Sequence, residues 1–182
     1  YSTAVSLCRR NFLREAVHLL LQAVQDMPSF TKPYCLLAQI FMAHNHFLAA
    51  DLVLKKAFQH SCHHENINQL QGDLAYHRQN YREAFRRYAQ SGKQLLPPVS
   101  AMRCVQSLLM IYKEGYVRQQ PQLQKRLLKS AQIMVKNLKD RKVFDAEKTL
   151  HLHNIIREHD TKTAADLLSA YIQEKRNRAL CD

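Results

Sequence analysis

A repeat of 34 residues constrains this chain more than any other feature of its sequence. Ala4, Ala38 and Gly72 stand one period apart, as do Ala16, Ala50 and Ala84, then Leu20, Leu54 and Tyr88, then Ala23, Ala57 and Ser91. Each series keeps its size class, and such self-similarity is the mark of stacked supersecondary units. Between the small residues lie Asn11-Phe12-Leu13, Asn45-His46-Phe47 and Gln79-Asn80-Tyr81, each a polar break followed by a bulky residue. This register describes a helical hairpin. A small residue in the first helix lets the second cross closely, and bulky residues on the second fill the remaining space. Pro28 ends the first hairpin, and Pro33 falls in the first turn of the next helix, where a missing N–H costs little. The spacing predicts helices over residues 12–27, 33–44, 47–60, 65–78 and 81–92, preceded by the remnant of an earlier helix. The chain opens at Tyr1 without a methionine and reads as a fragment beginning inside a repeat.

Composition removes the alternatives. With 46% hydrophobic and 23% charged residues the chain is globular in character, and 3 Gly with 5 Pro are too few turn formers for a multi-stranded sheet protein. At 182 residues it needs neither disulfides nor a metal to build a core. Cys8, Cys35, Cys62, Cys104 and Cys181 are dispersed and odd in number, which suits free thiols in a reducing, intracellular setting, cytoplasmic or nuclear. No apolar run is long enough for a membrane span, so no membrane association is expected.

The spacing resembles the tetratricopeptide repeat, whose sequence of small and bulky positions recurs with the same period. The resemblance covers residues 1–94, as three repeats with the first truncated. Tyr34 and Asn68 stand where the family carries Trp, and Cys62 where it carries Pro. The resemblance implies an all-α, right-handed solenoid of antiparallel helical hairpins, and a docking surface in place of an active site.

Beyond residue 94 the register is lost. Leu95-Leu96-Pro97-Pro98 reads as a loop, a helix over 99–113 ends near Gly115, and Pro121 opens another. In that helix Leu123, Leu127, Ala131, Met134 and Leu138 share one face, with Lys125, Lys129, Lys136 and Lys139 opposite. Two more helices, over 143–158 and 162–176, are separated by His159-Asp160-Thr161. There Leu152, Ile155, Ala164 and Leu168 resemble a degenerate fourth repeat. Residues 95–182 are therefore expected to continue the hairpins, with a basic amphipathic helix and a C-terminal capping helix.

Chemistry is sparse along this sequence. His60, Cys62, His63 and His64 carry ligand atoms suited to zinc, but they lack the paired, separated spacing of structural sites, so a polar turn is the better reading. No nucleophile with a base and an orienting acid is recognisable, and Gly72, Gly92 and Gly115 have packing or helix-end roles rather than forming a phosphate loop. His151 and His153 with Glu147 or Glu158 are ordinary helix-surface residues. No catalytic residue, metal or cofactor is expected.

Binding remains. By analogy with the tetratricopeptide family, the inward positions of the second and third repeats are Lys32, Cys35, Gln39, Met42, Asn66, Gln69, Asp73, Tyr76 and His77. Gln39, Gln69 and Asp73 stand where a clamp for a terminal carboxylate would place cations, and Asn and Gln suit an extended peptide backbone. A second candidate is electrostatic. The formal charge is +12, and residues 118–142 hold eight Lys or Arg against Asp140. Such a stripe, carried by Lys125, Lys129, Lys136 and Lys139, suits phosphate contacts, yet no aromatic side chain interleaves the lysines to stack bases. The sequence thus predicts a non-enzymatic scaffold for a peptide or for a subunit of a larger assembly, with an acidic partner suited to its charge. A nucleic-acid adaptor acting through residues 121–142 is the alternative.

Overall fold

The computed structural model describes residues 1–60, 65–91, 96–158 and 160–181, and among them every regular element is a helix. In chain order these are α1 (Ser2–Arg9), α2 (Leu13–Asp26), α3 (Thr31–Ala43), α4 (Phe47–His60), α5 (Glu65–His77), α6 (Tyr81–Gln90), α7 (Pro98–Tyr112), α8 (Gly115–Arg118), α9 (Pro121–Asp140), α10 (Ala146–Arg157) and α11 (Thr161–Cys181). Cys62, His63, His64, Gly92, Leu95 and His159, which the sequence singled out, lie outside the described residues.

The period is visible in the backbone. Asn11, Asn45 and Gln79, one period apart, adopt the left-handed conformation with φ of 62°, 61° and 59°. The residue after each donates its N–H back across the helix end: Phe12 to Leu7 O at 2.9 Å, His46 to Phe41 O at 2.8 Å and Asn80 to Ala75 O at 2.9 Å. This is the hydrogen bonding that satisfies orphan carbonyls when a helix stops on a left-handed residue. Asn tolerates that conformation better than other residues with a Cβ, so the first two turns follow from local sequence, whereas Gln79 is held by the same bonds without that preference.

The chain divides into two units, residues 1–74 with 89–94, and residues 75–88 with 95–182. The third repeat is therefore shared between them. In the first unit α1 packs on α2, α2 on α3 and α3 on α4. The core is formed by Ala4, Leu20, Val24, Tyr34, Leu37, Ala38, Ala50, Leu54 and Ala57, with Ile67, Leu70 and Leu74 from α5. The residues of the 34-residue series that fall in this unit are buried except Ala23, which is half-buried, and Ala84 and Tyr88 are buried in the second unit. Asn68 donates its side-chain amide to Gln90 O at 3.3 Å. Replacing the fully buried Ala50 by Leu is expected to cost about 1–3 kcal/mol through overpacking, read as a lowered thermal midpoint. The same residue in place of exposed Gln25 is expected to change stability by less than about 0.5 kcal/mol.

The second unit closes on itself. α7 packs on α9, α9 on α10, α10 on α11 and α11 back on α7, so four helices form a ring around one core. Met102, Val105, Leu108, Ala131, Val135, Leu138, Leu152, Ile156, Ala164 and Leu168 fill it. α11 lays Ala164, Ala165, Leu168 and Ile172 inward along one stripe. Gln106 of α7, 8% exposed, ties the closure by donating to Ala165 O at 3.0 Å and to Ser169 Oγ at 2.6 Å. Asp145 caps α10 by accepting the Lys148 N–H at 2.7 Å, and Asp160 caps α11 by accepting the Thr163 N–H at 3.1 Å. Asp160 accepts from the Thr163 hydroxyl as well as the backbone, which holds its carboxyl below the usual carboxylate range. Extended backbone at Glu114 (φ −63°, ψ 138°) separates α7 from the short α8, which Gly115 opens, and Gly115 therefore does not terminate the preceding helix.

Candidate interaction surfaces

The residues expected to line a polar inner face have diverse environments. In the first unit Lys32 and Gln39 are exposed on α3 and Asn66 is exposed on α5. Cys35 and Met42 are half-buried and pack against the core. Gln69 is half-buried and donates its amide to Asp73 Oδ2 at 3.0 Å, while Asp73 is only 5% exposed. Asp73 is thus an interior residue: α5 turns it inward beside the buried Leu70 and Leu74, and Gln69 supplies a hydrogen bond that a buried carboxylate needs.

Tyr76 and His77 belong to the second unit, where Tyr76 is committed internally. Its hydroxyl donates to Gln106 Oε1, the Arg103 guanidinium lies 5.5 Å from its ring centroid, and Tyr81 meets it edge-on at 6.0 Å. His77 meets the same ring edge-on at 5.8 Å. Tyr76 therefore serves packing and the buried polar network of α7 instead of presenting itself to a ligand. Among the nine predicted residues Lys32, Gln39 and Asn66 are exposed, and the polar Gln69 and His77 are half-buried.

α9 carries the basic stripe as expected, with Lys125, Lys129, Lys136 and Lys139 all exposed. Its apolar face is rotated from the expected one. Leu128, Ala131, Val135 and Leu138 are buried, whereas Leu123, Leu127 and Met134 are only partly so. Ile133 points outward among the lysines and is 52% exposed. Beside it, α10 exposes Leu150 at 62%. Together they lie in a groove of about 460 Å³ between the two helices. α9 lines it with Lys129, Gln132, Ile133 and Lys136, then Lys139, and α10 with Ala146, Thr149, Leu150 and His153. Each helix contributes the i, i+3, i+4, i+7 stripe that defines one helix face. Ile133 and Leu150 both occupy the i+4 position of their stripe. Among the described residues no acidic one lines the groove.

Sequence reasoning placed His153 on the surface and overlooked Ile133 and Leu150. The available signal was that each is an apolar residue off the buried stripe of its own helix, Ile133 between Lys129 and Lys136 and Leu150 two residues before Leu152.

The thiols are poor candidates for chemistry. Burial pushes Cys104 up to about 12 and Cys35 up to about 11, so both stay protonated at neutral pH and neither supplies a thiolate. Among the described residues no group of three His, Cys, Asp or Glu side chains is placed to hold a metal ion, and no helix is long and apolar enough to cross a membrane. Comparison with protein families, curated proteins and solved structures finds no match to this chain.

Proposed function

We propose that this chain is a non-enzymatic docking scaffold that binds a segment of another protein on the first helices of its repeats. The supporting observation is the recurrence, at 34-residue spacing, of one left-handed turn at Asn11, Asn45 and Gln79, which supports reading α1, α3 and α5 as equivalent helices. Equivalent helices offer equivalent faces, and among the described residues of α3 and α5 the fully exposed polar side chains include Lys32, Gln39 and Asn66. Amides that both donate and accept match the unpaired N–H and C=O groups of an extended peptide. That these hairpins stack as a tetratricopeptide-like right-handed solenoid is part of the proposal. So is an intracellular setting, which suits the free Cys8, Cys35 and Cys104.

The expected result is that Gln39→Ala with Asn66→Ala weakens retention of protein partners by about tenfold, each lost hydrogen bond contributing about 0.5–1.5 kcal/mol. Both positions are exposed, so the helical circular-dichroism signal stays unchanged. A folded double variant that retains the same partners in full sinks this docking face.

A second reading has its own observation in the four exposed lysines of α9, which fit phosphates on a nucleic acid. Ile133, standing among them half-exposed, favours a protein surface instead, because a phosphate backbone offers nothing to cover an isoleucine.

A further inference from the structure

We propose that the groove between α9 and α10 is a second docking site, and that its occupant is an acidic amphipathic helix of a partner protein. This site lies wholly on α9 and α10, apart from the Lys32, Gln39 and Asn66 face, so either proposal can fail alone.

The geometry points to a helix. Two neighbouring helices each present one complete face, and the channel between their ridges is the seat that a third helix takes in ridges-into-grooves packing. From Lys129 to Lys139 the groove runs about 15 Å at 1.5 Å per residue, the length of about three helical turns. Its floor holds Ile133 and Leu150, two large side chains that remain half or more exposed although they sit beside a well-filled core. Apolar anchors at i and i+3 or i+4 on an incoming helix would remove both from water.

Charge selects the flanks. Lys129, Lys136 and Lys139 rim the apolar floor and no carboxylate opposes them, so the complementary helix carries Glu or Asp on either side of its apolar stripe. The other occupants fit less well. A second copy of this chain, at +12, would bring like charge to the rim. A nucleic acid meets the lysines while leaving Ile133 and Leu150 uncovered.

The test uses the full chain and a labelled synthetic helix of about four turns, with two Leu four residues apart and Glu on both flanks. One control replaces the Leu pair by Ser and another replaces Glu by Gln. A short RNA duplex and phosphatidylserine vesicles are run alongside. At about 150 mM salt, anisotropy is expected to show the intact helix binding at least about tenfold more tightly than either control. Ile133→Ser with Leu150→Ser is expected to weaken it by at least about tenfold while the melting midpoint holds, since both side chains already face solvent. Equal binding of the intact helix and its Ser control would overturn the proposal in favour of a purely electrostatic surface. So would a dissociation constant weaker than about 1 mM, an unchanged affinity in the folded double variant, or tighter binding of the RNA or the vesicles than of the helix.

Discussion

Leu152→Ala is expected to lower the unfolding free energy by about 2–5 kcal/mol, whereas Leu150→Ala, two residues away on the same helix, is expected to change it by less than about 0.5 kcal/mol. Leu152 is 0% exposed and belongs to the core that α7, α9, α10 and α11 enclose, so its truncation removes buried methyl groups and leaves a cavity. A loss of that size is a large fraction of the roughly 5–15 kcal/mol that holds a domain folded. Leu150 is 62% exposed and lies outside the core, so truncation leaves the core unchanged and acts on the docking helix alone. Urea unfolding followed by circular dichroism separates the two variants. Comparable destabilisation by Leu150→Ala would mean that Leu150 is covered within the folded chain and would remove the floor of the groove.

Reversing Lys125, Lys129, Lys136 and Lys139 to Glu together is expected to leave the fold intact and to abolish binding of the acidic helix. All four side chains are exposed, and Leu128, Ala131, Val135 and Leu138 still pack inward. The formal charge falls from +12 to about +4, and the groove becomes repulsive toward a carboxylate-flanked ligand. Duplex RNA gives the discriminating comparison. Four phosphate contacts would make its affinity fall on the order of a hundredfold between about 50 and 200 mM salt, through counterion release. The expected wild-type behaviour at physiological salt is weak retention, with a dissociation constant of about 10⁻⁴–10⁻⁶ M, typical of sequence-independent contacts. A submicromolar RNA complex at that salt, lost in the reversed variant, would make the basic helix a nucleic-acid surface and demote the protein-docking reading.

The helix stops at Asn11 and Asn45 and the helix starts at Asp145 and Asp160 are determined by neighbours within a few residues of one another, so they are written in the local sequence. Asn11 and Asn45 stop their helices through a conformation that Asn accepts locally, and Asp145 and Asp160 start theirs through bonds to residues three positions on. The small residues of the 34-residue series carry close crossing in their own size. The α8 turn after Glu114 had no such local mark. Facing within helices was legible only where one stripe was apolar and the rest polar. α9 has apolar residues over much of its circumference and packs on α7, α8 and α10, so its wheel alone did not show that the buried stripe runs through Leu128 and Val135, with Leu127 and Met134 only partly buried. The burial of Asp73 and the internal role of Tyr76 were equally beyond it, since a repeat register assigns a position without knowing what stands opposite. Closure of the second unit rests on contacts such as Gln106 with Ala165, 59 residues apart. No local pattern encodes a pairing at that separation, because it depends on which of several apolar faces gains most by meeting, and only the assembled core decides that.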